Sequence, residues 1–445
     1  MQFGTFADRI PVSSKTISDR IVRGEAVAFR SELAEPVGRR RGMRDVPKFN
    51  EDRRKLMFLT SARIYAVESG GIRPVILRLE TNEGVVGLGE AAVAYGVGAS
   101  AAAAMLKELA GRFLIGRIDP FRIEAITAAI RDFSFWAKGG GPILNAGLSA
   151  IEQALVDIKA RSLNVPAYDL LGGRLRDELG TYANGWYFGC ASDAELPAAA
   201  EKVVSEGYEG LKFYPFATIL PDGRLRHPAF RGAGDPDLVR RGIARVAAVR
   251  DAVGPDVEVI LDLSAGLTPS DTIRFCRAIE KYEIAFVEEP TEPDDLGALQ
   301  QIARSISQPI AVGERLYGRQ GFRDLLESRS VAIVQPDLGN TGGIWEGRKI
   351  AAMAEAYGLK VQPHVCASSL STAIGAHFSA AIPNFYVQEH FPYWDRTPGH
   401  VEVLQNPLET RVVNGRIPIE DAPGYGVALD EERLKAFVFA EIDLR

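Results

Sequence analysis

The chain has 445 residues, 46% hydrophobic and 25% charged, with 52 Lys/Arg against 58 Asp/Glu for a net charge of −6. This balance excludes collagen-like and low-complexity chains and argues against a nucleic-acid binder held by a basic surface. No apolar run approaches the ~18 residues of a membrane span, and three scattered cysteines (Cys190, Cys276, Cys366) form neither a disulfide framework nor a CxxC zinc site, as expected in a reducing cytoplasm.

Residues 1–55 carry 13 Lys/Arg and 8 Asp/Glu, a local net of +5 that includes Arg39-Arg40-Arg41 and Arg44. With no apolar h-region and too many acids for a transit peptide, 1–56 reads as a basic, partly disordered, solvated extension rather than an interaction arm. Met57 opens the first strand-like segment, so a start at that methionine is an alternative. Segments 59–65, 74–79 and 85–89 then predict an antiparallel meander, with a hairpin turn at Thr81-Asn82-Glu83-Gly84. Helical patterns follow over 99–115, 119–133 and 143–163. The last places Ala146, Ala150, Ile151, Ala154, Leu155 and Ile158 on one face and stops before Pro166. Strands followed by helices predict a separate α+β domain over 57–180. Gly87-Leu88-Gly89-Glu90-Ala91-Ala92 imitates a dinucleotide fingerprint, but the preceding strand belongs to a tight hairpin, not a βαβ unit.

After Gly180 the rhythm changes. Strand-like runs at 181–186, 210–214, 257–262, 284–288, 309–314, 331–337, 359–364 and 385–389 alternate with helices, the pattern of a TIM-type barrel over 181–405. A doubly wound open sheet is the alternative. Residues 406–445, with Asn414-Gly415 and Pro423-Gly424-Tyr425-Gly426, read as turns and short strands that pack back on the first domain.

The barrel strands end on chemistry. Lys212, Asp262, Glu288, Glu314, Asp337, His364 and Glu389 each lie at or near the end of an apolar run, the last six at intervals of 23 to 27 residues. Any one of them could be an ordinary helix cap. Seven in register converge on the C-terminal mouth of a barrel, where active sites sit. Asp262, Glu288 and Glu314 would gather three carboxylates that repel unless a cation fills the gap. Hard oxygen ligands without His or Cys suit Mg²⁺, and the five histidines show no HxH or HExxH zinc spacing. Opposite them, Asp337 would fix the tautomer of His364 and leave its other nitrogen free as a general base. Lys212, in apolar surroundings, could stabilise negative charge or act as a base, and Tyr214 is a substrate contact or a proton donor. Glu389 is a protonated donor or a hydrogen-bonded anchor, while His390 faces the other way and reads as structural.

These residues carry a resemblance. Leu261-Asp262-Leu263-Ser264, Phe286-Val287-Glu288-Glu289-Pro290, Val312-Gly313-Glu314-Arg315, Gln335-Pro336-Asp337 and Pro363-His364, with the helix around 148–154 and Leu170-Leu171-Gly172-Gly173, make the stretch 59–438 similar to the mandelate racemase subgroup of the enolase superfamily. The resemblance implies an α/β fold, a modified (β/α)7β barrel under an N-terminal α+β capping domain. It implies Mg²⁺ on Asp262, Glu288 and Glu314, an Asp337–His364 base, and Glu389 near the substrate carboxylate or the developing enolate. The loop 91–98, with Tyr95, resembles the cap loop that closes the pocket. A homo-oligomer is expected, with a small-molecule carboxylate as substrate and neither nucleic acid nor membrane as partner.

Two departures narrow the chemistry. Many members of the subgroup carry a second lysine two residues after the Lys212 equivalent, where this chain has Tyr214, and Ser264 replaces a common Asn. Asp337 stands where cycloisomerases and dipeptide epimerases carry Lys. A one-base dehydration needs only His364 and a proton for the leaving hydroxide, from His364 itself or Tyr214. The expectation is therefore a Mg²⁺-dependent sugar-acid (aldonate or aldarate) dehydratase forming a 2-keto-3-deoxy acid through an enediolate. A racemase, epimerase or cycloisomerase is the alternative, and a catalytically silent binding barrel the third reading. Loop 215–234, with Arg224, Arg226 and His227, stretches the Lys212–Asp262 interval to 50 residues and is a candidate reader of the substrate or simply solvated.

Overall fold

The computed structural model describes residues 57–219, 225–226 and 236–445. The basic extension over 1–56 and most of the 215–234 loop, including Arg224 and His227, lie outside the described residues. Of that loop, Thr218–Ile219 pairs antiparallel with Leu225–Arg226.

Three strands, β1 (Leu59–Ala66), β2 (Val75–Thr81) and β3 (Val86–Ala91), form the expected meander. Helices α1 (Ala99–Phe113), α2 (Ile123–Phe133) and α3 (Pro142–Leu163) follow. α2 starts four residues later than its periodicity suggested. Asp119 accepts the Phe121 and Arg122 N–H groups, which holds the chain in a turn around Pro120 before the helix can begin. α3 is buried along most of its length, from Leu144 to Ala160, and ends on Asn164 in the left-handed conformation. It lies directly on β3. A Cβ on Gly87 would stand 2.1 Å from the Ala154 carbonyl oxygen, and one on Gly89 2.0 Å from that of Ala150. The glycines that imitate a nucleotide motif are there so that strand and helix backbones can touch.

The second sheet is the barrel. In spatial order its parallel strands are β4 (Glu178–Ala183), β5 (Gly210–Phe213), β6 (Glu258–Asp262), β7 (Phe286–Glu288), β8 (Ile310–Val312), β9 (Ile333–Val334) and β10 (Lys360–Val361), with β11 (Gln388–His390) beside β4. A parallel bridge between Val361 and Phe385 closes the ring. Helices follow the first seven strands: α4 (Leu196–Ser205), α5 (Pro236–Val253), α6 (Pro269–Ala278), α7 (Leu296–Ala303), α8 (Gly318–Ser328), α9 (Ile344–Ala356) and α10 (Ser369–Ala381). This is a (β/α)7β barrel, not an open doubly wound sheet. Period-2 alternation sorts its side chains. Tyr182, Ile260, Phe286, Ala311 and Ile333 fill the interior, while Leu211, Phe213, Val259, Leu261 and Val287 meet the outer helices.

The strands are shorter than the apolar runs that predicted them, because the runs continue into buried loops at the mouth. In the last segment Asn414 and Gly415, both with positive φ, turn the chain into β12 (Arg416–Pro418), which adds antiparallel to β4. β13 (Val438–Asp443) then adds to β1 of the first sheet. Among the described residues, no helix is long and apolar enough to cross a membrane.

Candidate active site

Asp262 closes β6 and Glu288 closes β7, and the two are register partners. Each stands two residues beyond an interior side chain, Ile260 or Phe286, so alternation aims both carboxyls inward at the mouth. Glu314 lies two residues past β8 on the same rim. Asp337 and His364 follow β9 and β10 and are joined by a parallel bridge. Lys212 sits within β5 and Glu389 within β11.

Lys212 is buried at the axis, its Nζ 2.7 Å from Glu288 Oε1 and 2.8 Å from Glu389 Oε1. Burial works against the ammonium, but Glu288 and Glu389 outweigh it and hold its pKa well above the ordinary lysine value. That favours the charged ammonium. Glu389 also accepts Asn184 Nδ2 at 2.8 Å and the Val365 N–H at 2.8 Å. Burial opposes its charge, yet Lys212 and His364 hold its pKa below the usual range, which favours the anion.

Two of the rim carboxylates, Asp262 and Glu288, are strained electrostatically. Burial, with Glu314 adding to it, raises Asp262 despite Lys212 nearby. Burial pushes Glu288 up to about 8, against Lys212 and with Asp262, Glu314 and Glu389 adding. Among the described residues, no three His, Cys, Asp or Glu side chains are already gathered into a metal cage. Both Glu288 oxygens are engaged, by Lys212 and by Gln335 Nε2 at 2.6 Å. Glu314 faces Arg315 Nη2 at 2.9 Å and His364 Nε2 at 3.5 Å. The donor set itself, three hard oxygens on adjacent strands with surplus negative charge, fits Mg²⁺.

Across the rim, His364 Nδ1 lies 2.7 Å from Asp337 Oδ2, and Asp337 Oδ1 accepts the Gly339 N–H. Burial disfavours the imidazolium, but Glu314 and the Asp337 hydrogen bond prevail and raise its pKa well above the ordinary histidine value. Nε2 is the nitrogen turned toward the carboxylates. Tyr214 takes the Ser264 hydroxyl at 2.8 Å. Its own pKa is raised well above normal by burial and by the Asp262 and Glu314 charges, which keeps it a phenol. Tyr95 is 63% exposed on the cap loop.

Several side chains here had no role in the sequence reading. Glu289 is buried with φ 43°, accepts the Gly313 N–H at 3.0 Å and holds Arg315 at 3.2 Å, which in turn reaches Glu314. Gln335 and Cys366 bond Glu288 and His364. Their signal was adjacency: each sits one or two residues from a strand-end acid or base. His390 is buried against Tyr208, 2.8 Å from its hydroxyl, and burial pushes its pKa down to about 4.

Two family models match the chain. The mandelate racemase/muconate lactonizing enzyme N-terminal domain covers residues 65–172, and the enolase C-terminal domain-like model covers 195–433. The chain belongs to the mandelate racemase subgroup of the enolase superfamily. It is 33% identical over 367 residues to D-gluconate dehydratase of Thermoproteus tenax, spanning 82% of this chain and 69% of that one. It is 33% identical over 365 residues to D-galactonate dehydratase of Variovorax paradoxus, spanning 81% and 90%. The solved structure of a Mesorhizobium loti protein superimposes with a TM-score of 0.82 at 46% identity, covering 86% of this chain and 99% of that one. An enolase-superfamily member from Salmonella Typhimurium gives 0.81 at 36%, covering 88% and 100%.

Proposed function

We propose that this enzyme is a Mg²⁺-dependent hydro-lyase of a sugar acid, an aldonate or aldarate, that forms a 2-keto-3-deoxy acid and water. The observation that carries the reading is the His364–Asp337 pair facing the Asp262, Glu288 and Glu314 rim, with Tyr214 in place of a second basic residue. The sugar-acid dehydratases among its relatives support it.

Asp262, Glu288 and Glu314 are the residues to hold Mg²⁺. When bound, the ion supplies positive charge that neutralises these carboxylates, favours neutral His364 and stabilises charge developing on the substrate carboxylate. His364 Nε2 takes the proton from the carbon beside that carboxylate, while Asp337 holds Nδ1–H. Lys212 adds fixed positive charge beneath the substrate, with Glu389 anchoring it. The C–OH bond at the next carbon then breaks. Its hydroxide leaves as water on receiving a proton from His364 or Tyr214, and the enol left behind becomes the 2-keto acid. No electron is gained or lost. Three unpaired cysteines suit the cytoplasm to which we assign the enzyme.

A panel of aldonic and aldaric acids, assayed for 2-keto acid with Mg²⁺ and with chelator, tests the reading. Keto acid formed only with Mg²⁺ supports it. Solvent deuterium entering recovered substrate without keto acid would instead mark a racemase or epimerase, and binding without either reaction a silent barrel.

A further inference from the structure

His364 and the N-terminus of α10 are separated by only a short turn, Val365, Cys366, Ala367 and the N-cap Ser368. That turn is held from three sides. Glu389 accepts the Val365 N–H, and the Ala367 carbonyl faces His400 Nδ1 at 2.7 Å. The third hold comes from the cap. Glu90, fully buried on β3, accepts the Ser368 N–H at 3.0 Å, Ser368 Oγ at 2.7 Å, the Ser371 N–H at 3.1 Å and Ser371 Oγ at 2.9 Å.

Glu90 also reaches the other half of the pair. Its N–H donates to Gln153 Oε1 at 2.7 Å, and Gln153 Nε2 donates to the carbonyl of Leu338, the residue after Asp337, at 2.9 Å. One cap residue is thus tied to the turn after Asp337 through its backbone and to the turn after His364 through its carboxylate. Nearby, Ala92 N–H and Asn340 Nδ2 close the same seam, to Gly339 O and Ala92 O respectively.

A helix cap alone does not call for this arrangement. Ser368 already supplies the side-chain cap, its Oγ accepting the Leu370 N–H at 3.2 Å. A second acceptor brought from another domain as a fully buried carboxylate, with no ion pair to a basic side chain among the described residues, costs desolvation that a cap does not require. What it adds is reach: four donors in the first turn of one helix, fixed relative to a strand of a different sheet.

We infer that Glu90 is a positioning residue for the reaction, setting from the cap the distance and angle between His364 and Asp337. The inference rests on the proposed function, in which His364 is the base. It makes the base competent only when β3 is seated on the barrel.

The test compares wild type with Glu90→Gln, which keeps shape and one carbonyl acceptor, and with Ser371→Ala, which spares the N-cap. Expected for Glu90→Gln are a KM within about threefold of wild type, a kcat lower by about a hundredfold, and a larger isotope effect with substrate deuterated beside the carboxylate. Ser371→Ala should lose about three- to tenfold, less than additively with Glu90→Gln. In ¹⁵N-histidine-labelled protein, the hydrogen-bonded Nδ1 proton of His364, assigned with His364→Asn, should shift or vanish in Glu90→Gln; this readout needs no turnover. If Glu90→Gln does not fold, Ser371→Ala and its proton signal decide. An unchanged proton signal with unchanged kcat per folded molecule, whatever the loss of thermal stability, overturns the inference. Full turnover by His364→Asn, or no keto acid from any acid tried, would instead overturn the proposed function.

Discussion

The ammonium of Lys212 lies 2.7 Å from Glu288 with both side chains out of water, and Glu389 closes the other side at 2.8 Å. The pair is the electrostatic keystone of the barrel mouth, because among the described residues Lys212 is the one cation that touches both buried acids. Lys212→Met leaves two buried carboxylates without it and should cost about 3–5 kcal/mol in denaturant titration, with turnover lost. A variant as stable as wild type would contradict this account.

Removing the proposed base, His364, separates binding from chemistry. His364→Asn should lower kcat by a factor of about 10³ or more while leaving substrate affinity within a few-fold. Asp337→Asn should lose nearly as much, since an amide no longer fixes the imidazole tautomer. Single-turnover kinetics beside direct binding measurements check both.

Chelation should abolish turnover and Mg²⁺ restore it. An ion held by the folded chain as proposed should, at about 100 times its Kd, also stabilise by about 2.7 kcal/mol. Thermal melts with and without the ion read this, and Asp262→Asn should remove most of the increment.

Glu152 supplies a pH signature away from the rim. It accepts the Ile344 and Trp345 N–H groups at the start of α9, and burial pushes its pKa from 4.5 up to about 8. Between those values the folded chain keeps a proton that the unfolded chain has lost. Its contribution to stability is full below pH ~4.5 and fades as pH rises through ~8. The stability of wild type relative to Glu152→Gln should therefore fall steadily from pH 5 to pH 8. A difference that stays flat, or rises, in urea titrations would count against the buried proton.

Gly89→Ala places a methyl 2.0 Å from the Ala150 carbonyl oxygen, backbone against backbone. Neither partner can rotate away, so the variant should lose more than about 2 kcal/mol or fail to accumulate.

How much of this was legible beforehand follows from distance along the chain. The barrel and its rim could be read because one βα unit repeats, so Asp262, Glu288 and Glu314 announce themselves by interval. The bond between Lys212 and Glu389 could not, since it crosses the closure of the ring. Glu90 was hidden for the same reason: its partners Ser368 and Ser371 lie 278 and 281 residues away. Gly87 and Gly89 illustrate a different limit, because glycine marks close approach without naming what approaches. Strand lengths were overestimated where buried loop and buried strand share one apolar run, as at 331–337 and 359–364.

The pairing of β1 with β13 sets a timetable. Ser61 meets Asp443, so the edge of the first sheet stays open on the ribosome until residues 438–443, about 380 positions on, have been made. Until then β1 exposes a bare row of hydrogen-bonding groups to every neighbouring nascent polypeptide. Translation that stops before β13 leaves that edge uncovered, so truncated products should be collected by chaperones and proteases well before the catalytic half of the molecule is itself at fault.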